Sequence, residues 1–176
     1  MNKTEWFNRK FPSIEDNGTL PSIIERLAGT PARLEEMISK LDESVLTIRI
    51  GEKWSIKEEA GHLPDLEPLW SGRLDDLINK FPELRAADLS NQRTHKANHN
   101  ATEVNKILKE FRDLRKLYVD KLMRLNNEQL TCSALHPRLK TPMRVIDLAY
   151  FVAEHDDHHL SRIREIINSV ILPSSF

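Results

Sequence analysis

Apolar residues recur at helical spacing in four long segments of this chain, and that pattern limits the possible folds more than any other feature. Glycine accounts for five of the 176 residues, and segments that alternate apolar and polar side chains are few. Four amphipathic helices are therefore predicted, the first beginning after Thr19 and the last ending near Val170. Helices of this number and length are typical of an all-α four-helix bundle.

Three capping signals predict where the later helices begin. Ser55 followed by Glu58 is the pattern of a capping box, which predicts the start of the second helix. Thr102 is the expected cap of the third helix. Thr141 as cap and Pro142 at the first helical position predict the start of the fourth helix, because the missing N–H of a proline is harmless there.

Prolines and polar residues predict where the helices bend or stop. The Gly-Thr-Pro stretch at residues 29–31 is expected to break or kink the first helix, because a proline cannot donate to the residue four positions back. Pro64 and Pro68 predict a bend in the second helix. Residues 45–50 are predicted to be a loop or a short extended piece, and the polar residues 81–100 a long surface loop.

The length and charge of the chain predict one globular domain over residues 1–176, with its folded core at about 20–170. Lys and Arg total 26 and Asp and Glu total 27, so the formal net charge is −1. This balance argues against a dedicated nucleic-acid binder, in which basic residues are usually in excess on one face. Five basic residues of the third helix are predicted to form a solvated face: Arg112, Arg115, Lys116, Lys121 and Arg124.

The cysteine content and the apolar runs predict the compartment. Cys132 is the single cysteine, so no intrachain disulfide can form. The chain shows neither a signal-like apolar segment at its start nor a run approaching the roughly 18 apolar residues of a membrane span. A cytoplasmic protein without membrane contact is therefore predicted. Cys132 has no basic neighbour in the sequence to activate it, so it is not expected to be a nucleophile.

Histidines on the fourth helix form the candidate functional site. On a helical wheel, His155 and His159 lie one turn apart in the middle of the apolar stripe, whereas His158 lies at its edge. This spacing allows two ring nitrogens to reach one metal ion. The alternative is that each imidazole only makes a hydrogen bond within the core.

His62 is the best candidate for a third ligand, because it lies within the predicted second helix beside the apolar face. His95 and His99 have the same four-residue spacing as the pair on the fourth helix, but their polar surroundings argue against ligand roles. Glu58 and Asp65 flank His62 and could orient it or transfer protons. Alternatively, Glu58 only caps the helix and Asp65 is solvated.

Two motifs in the chain resemble those of the DinB/YfiT-like superfamily. Residues 53–67 resemble its second-helix motif, in which a Trp-Ser start leads to a histidine followed by Asp-x-Glu. Residues 155–160 resemble its C-terminal motif, and the helix pattern is similar from about residue 20 to residue 170. The two motifs occur in the family's order and on the corresponding helices.

The resemblance implies an antiparallel four-helix bundle that holds one divalent ion through three histidines. The family's second-helix ligand corresponds to His62, and its His-x-x-x-His pair corresponds to His155 and His159. His158 stands where the family often has a histidine that is not a ligand. Zinc or nickel is the expected ion, although imidazole suits iron and copper as well.

A three-histidine site leaves coordination positions open, which predicts an enzyme acting on a small-molecule substrate. The enzyme would be a metal-dependent hydrolase or a transferase that uses a low-molecular-weight thiol, a class that the superfamily includes. The alternatives are a non-catalytic bundle that binds a metal or small ligand, and a structural domain with hydrogen-bonded histidines. Trp54 and Trp70 could line a pocket or belong to the core. Bundles of this kind often pair through an exposed helix face, so a homodimer is also considered.

Overall fold

Residues 4–171 are the part of the chain that the computed structural model describes, and helices make up most of them. In chain order these residues form α1 (Leu20–Ile38), α2 (Glu43–Leu46), α3 (Ile56–Ile78), α4 (Gln92–Ala97), α5 (Val104–Met123), α6 (Asn127–Leu130), β1 (Ser133–Leu135), β2 (Pro142–Arg144) and α7 (Val145–Ile171). Short 3-10 helices lie at Trp6–Asn8, Asn17–Thr19 and His99–Ala101. β1 and β2 pair as an antiparallel ribbon.

The long helices α1, α3, α5 and α7 pack as a bundle in which α1 and α3 each contact both α5 and α7. α1 and α3 therefore lie at opposite corners of the bundle, although they are consecutive long helices in the chain. The four-helix bundle predicted from the sequence is confirmed. Among residues 4–171, no helix combines the length and the apolar character needed to cross a membrane.

The apolar faces of the long helices form two clusters of buried side chains. One cluster includes Trp70 and Phe151, and the other includes Leu63 and Ile163. Residues 154–159 of α7 lie in sequence between the contributions of α7 to the two clusters. Full burial of such a side chain stabilises the fold by about 1.5–3 kcal/mol. The histidine-bearing turns of α7 are therefore anchored on both sides.

The capping box at the start of α3 forms as predicted. Ser55 Oγ accepts a hydrogen bond from the N–H of Glu58 at 3.2 Å, and Glu58 Oε2 accepts one from the N–H of Ser55 at 2.9 Å. Glu58 also forms an ion pair with Arg49. The structure therefore supports the capping role for Glu58, and its carboxylate is fully occupied there.

The start predicted for the last long helix is wrong. Thr141 does not cap it, and Pro142 lies in β2, because pairing with β1 holds this segment in an extended conformation. α7 begins three residues later, at the end of the ribbon. The Asp147 carboxylate then accepts hydrogen bonds from the N–H groups of Arg144 at 3.0 Å and Ile14 at 2.8 Å.

The prolines inside the long helices do not interrupt them. α1 runs through Pro31, and α3 runs through Pro64 and Pro68. A proline at position 31 leaves the carbonyl of Leu27 without its usual helical donor. That carbonyl instead accepts a hydrogen bond from Arg115 Nη1 at 3.2 Å. The break predicted in α1 is therefore wrong, because a side chain of α5 supplies the missing donor.

Three smaller predictions are also wrong. Residues 45 and 46 belong to α2 rather than to a loop or extended piece. Thr102 lies in extended backbone and does not cap α5, which begins at Val104. Arg115 is buried, with 1% of its surface exposed, instead of lying on a solvated face of α5.

Candidate metal centre

His62 of α3 and His155 and His159 of α7 converge where these two helices pack together. Each residue offers one ligand atom, and these atoms all lie within 4.8 Å of one another. Nε2 of His155 is 3.1 Å from Nε2 of His159, and all three side chains are buried. The fold thus brings together the three residues that the sequence predicts as ligands.

Glu59 holds the ring of His159 from its outer side. The carboxylate of Glu59 is fully buried, and its Oε2 lies 2.6 Å from Nδ1 of His159. Its Oε1 pairs with Nε of Arg162 at 2.7 Å. An ionised carboxylate only accepts hydrogen bonds, so the proton of the neutral ring lies on Nδ1. The lone pair of His159 is therefore on Nε2, the nitrogen that faces the other histidines.

A chain of hydrogen bonds holds His62 in the same tautomer. Thr94 Oγ1 donates to Asp65 Oδ2 at 2.8 Å and lies 2.9 Å from Nδ1 of His62. A hydroxyl has a single proton, so Thr94 must accept its second hydrogen bond from Nδ1–H of His62. The lone pair of His62 is consequently on Nε2, where it is available to a metal ion.

His155 differs from the other two histidines in the surroundings of its Nδ1 atom. Within residues 4–171, Nδ1 of His155 is buried without a hydrogen-bond partner. The ring lies edge-on to Trp6 and Trp70, with centroid distances of 5.1 and 5.4 Å. Because Nε2 of His159 carries a lone pair, Nε2 of His155 must either donate a proton to it or share a cation with it. This donor set fits a metal ion.

The electrostatics of the centre favour neutral imidazoles. Burial lowers the pKa of His62 to about 4 and the pKa values of His155 and His159 well below their ordinary value. Burial opposes ionisation of Asp65, but hydrogen bonds to its carboxylate keep its pKa below the ordinary value. Neutral rings offer the lone pairs that a metal needs. The carboxylates of Glu59 and Asp65 would balance the charge of a divalent ion.

The polar segment 81–100 is not the long surface loop that was predicted. It contains α4 and a 3-10 helix that pack against α3, and its Thr94 and His99 are buried. His99 Nε2 lies 2.9 Å from Asp65 Oδ2, so Asp65 is partnered rather than solvated. His95 is exposed. Neither histidine of this segment belongs to the three-histidine group found among residues 4–171.

Gly61 is the residue over which the His99 ring packs, and Gly61→Ala is expected to lower the free energy of unfolding by about 1–3 kcal/mol. A Cβ at this position would lie 2.3 Å from Nδ1 of His99, so the ring would have to move away from α3. Urea unfolding measures the change. Gly29→Ala in α1 is the matched control, because its Cβ would meet nothing within 4 Å. It is expected to stabilise the helix by about 0.5–1 kcal/mol, and equal effects of both substitutions would contradict the packing.

Glu59 and Thr94 also belong to the site, although neither was predicted from the sequence. Glu59 precedes His62 by three residues, which places both on one side of the helix, and this spacing was the available signal. Thr94 gives no comparable signal, because 32 positions separate it from His62. Its role depends on how the segment between α3 and α5 folds back.

The histidine centre opens into a cavity of about 480 Å³. Trp54 and Trp70 both line this cavity, and Trp70 is also part of the apolar core. His158 lines it too, with its ring 5.5 Å from that of Trp6, outside the three-histidine group. Cys132 is buried beside α6 and does not line the cavity. The open side of the centre thus has room for a small molecule.

Comparison with known proteins gives a family and a fold. The sequence profile of the DinB superfamily matches residues 26–163. Among solved structures, YfiT from Bacillus subtilis, described as a probable metal-dependent hydrolase with an unusual four-helix bundle topology, is similar with a TM-score of 0.78. The two chains are 18% identical, and the match covers 91% of this chain and 92% of that one. Among curated proteins, no sequence matches this chain.

Proposed function

This chain belongs to the DinB superfamily, and we propose that His62, His155 and His159 bind one divalent transition-metal ion, zinc or nickel. The observation that carries the proposal is the meeting of three buried, neutral imidazoles within 4.8 Å. Two of them already use their outer nitrogens in hydrogen bonds to Glu59 and Thr94. Imidazole nitrogens suit both zinc and nickel, and such outer partners fix the orientation of ligand rings.

We further propose that the centre is catalytic, as a metal-dependent hydrolase or a small-thiol S-transferase. Three protein ligands leave coordination positions of the ion open, which is typical of catalytic sites. Structural zinc sites instead have four protein ligands. When bound, a divalent ion supplies Lewis acidity toward a carbonyl, a water or a thiol. The chain's own contribution is to orient the rings and to exclude water with the aromatic residues of the cavity. The description of YfiT as a probable metal-dependent hydrolase supports the first class.

Elemental analysis combined with activity assays tests this function. After dialysis against zinc or nickel, the protein is expected to retain one ion per chain. Activity toward an ester and amide panel, or toward chlorodinitrobenzene with glutathione or cysteine, should disappear with a chelator and return with the metal. Failure to retain metal would overturn the metal centre. Full metal content without turnover in either panel would instead support a non-catalytic binding bundle.

The side chains that hydrogen-bond to the Nδ1 atoms of His159 and His62 should strengthen metal binding. Glu59→Gln and Thr94→Val are each expected to weaken zinc binding by about 10- to 100-fold, because the rings of His159 and His62 lose the groups that orient them. Competition with a chromogenic chelator measures the affinity. Glu36→Gln, an exposed carboxylate on α1, is the control and should leave the affinity unchanged. Parent-like zinc affinity in both Glu59→Gln and Thr94→Val would contradict the orienting role.

A further inference from the structure

A second polar cluster lines the same cavity as the histidine centre. It consists of Arg73 from α3 and His136 and Arg138 from the connection between β1 and β2. Trp70 lies between this cluster and the histidine centre. Its ring centroid is 5.5 Å from the guanidinium carbon of Arg73 and 5.4 Å from the ring of His155. The Trp70 ring thus lies between Arg73 and His155.

The hydrogen bonds of His136 leave two donors facing each other. The backbone N–H groups of Arg138 and Leu139 both donate to Nδ1 of His136 at 3.2 Å. Burial and the two nearby arginines lower the pKa of His136 to about 3, so the ring is neutral and its proton lies on Nε2. Nε2 is 3.2 Å from Nη1 of Arg73, which also only donates. Both groups therefore need an acceptor from outside the cluster.

Neither guanidinium of the cluster forms an ion pair with a carboxylate in the described chain, residues 4–171. Arg73 is 2% exposed, and its Nε donates to the carbonyl of Arg85 at 3.0 Å. Asp76 is the carboxylate that acts most on Arg73, but it pairs with the Arg85 side chain at 2.7 Å. Nη2 of Arg138 is buried and has no hydrogen-bond partner in the same residues. Buried cationic donors without a directly paired carboxylate are unfavourable, and an anion would complete them.

We propose that Arg73, His136 and Arg138 form a subsite for an oxyanion, a carboxylate or a phosphate, on a small molecule whose apolar part lies against the aromatic wall of the cavity. Guanidinium groups bind both oxyanions through paired donors, and His136 adds a further N–H. The acids that line the cavity, Glu5 and Asp88, are exposed and leave the buried donors unneutralised.

This inference deepens the proposed function, and it rests on that function for the reaction but not for binding. A molecule anchored by its oxyanion at this subsite would extend past Trp70 toward His155. Its far end would then face the open side of the histidine centre. The inferred substrate class is therefore a small organic anion with an apolar body and a reactive group remote from its charge.

Calorimetric titration with matched probes tests the subsite in both zinc-loaded and chelator-treated protein. The probes are phenylpropionate, its neutral amide phenylpropionamide, and phenyl phosphate. Both anions are expected to bind at least about tenfold more tightly than the amide, because they accept charge-assisted hydrogen bonds. The tighter of the two anions identifies the group that the subsite prefers. Equal affinity of the amide and the anions in chelator-treated protein would overturn the inference.

Arginine variants assign the binding to the subsite. Arg138→Gln and Arg73→Gln are expected to remove the preference for anions, and Arg124→Gln, an exposed arginine outside the cavity lining, should retain it. Arg138 is only half-buried, so its variant decides the test even if Arg73→Gln fails to fold. Anion preference in a protein that retains no zinc after dialysis against zinc would overturn the metal centre and support the subsite. Zinc binding without anion preference would overturn the subsite and support the metal centre.

Discussion

Alanine substitution of His62, His155 or His159 is expected to abolish stoichiometric zinc binding. Each change removes one of three nitrogen donors that meet within 4.8 Å. The loss of affinity should therefore exceed the roughly 10- to 100-fold effect of removing a hydrogen-bond partner of a ligand ring. Elemental analysis after dialysis measures the zinc content. Zinc should also raise the Tm of the parent protein but of none of the three variants, because an ion that binds only the folded state stabilises that state.

Two other histidines provide matched controls for this experiment. His95 is exposed and packs edge-on to Trp54 at 5.8 Å, so His95→Ala removes an imidazole near the centre without removing a predicted ligand. His158→Ala does the same on α7, where His158 is buried beside the ligand pair. Both variants should keep the parent zinc content. Loss of zinc in either control would contradict this assignment of the ligands. Zinc retained at the parent affinity by a ligand variant would contradict it as well.

The ligands of the centre are more predictable from the sequence than the residues that orient them. The pairing of His155 and His159 follows from helical spacing alone, because residues four positions apart lie on one face of a helix. His62 was predicted from its place beside the apolar face of the second helix, and the motif around it strengthened that prediction, since nothing local relates one helix to another. Thr94 lies in a polar segment that the sequence indicates as surface, yet it is buried by its hydrogen bonds to α3. Such partners depend on tertiary packing.

Local signals also fail where another part of the chain satisfies the backbone. Pro31 would end a helix in isolation, but Arg115 supplies the donor that the carbonyl of Leu27 lacks. Thr141 and Pro142 form a valid start signal for a helix, but pairing of this segment with β1 overrides it. Arg115 itself was predictable in part, because it follows Phe111 by one turn on the apolar side of α5.

Arg115 connects the four long helices through one guanidinium group. From α5 it donates to Glu67 of α3 at 2.6 Å, to Asp156 of α7 at 3.0 Å, and to the Leu27 carbonyl of α1 at 3.2 Å. Arg115 is 1% exposed and Asp156 is fully buried. Burial raises the pKa of Glu67 above its ordinary value even beside this arginine, so the surroundings solvate a carboxylate poorly. The two carboxylates therefore depend on the guanidinium for the stabilisation that water would otherwise supply.

Arg115→Met is consequently expected to lower the free energy of unfolding by about 3–5 kcal/mol, the effect of removing one partner from a buried ion cluster. Methionine fills much of the same volume, so the loss arises mainly from the buried carboxyl groups of Glu67 and Asp156, which lose their shared partner. The Leu27 carbonyl also loses its donor, which adds to the destabilisation of α1. Urea unfolding followed by circular dichroism measures the change.

Two further variants separate charge from packing. Arg112 lies one turn before Arg115 and pairs with Glu35 in a solvent-exposed position, so Arg112→Met should change stability by less than about 1 kcal/mol. Combining Arg115→Met with Glu67→Leu and Asp156→Leu should restore most of the lost stability, because well-packed apolar side chains can replace a buried ion cluster. If the triple variant is as unstable as Arg115→Met alone, the loss comes from the shape of the arginine side chain. If Arg112→Met is equally unstable, burial of the cluster is not the cause.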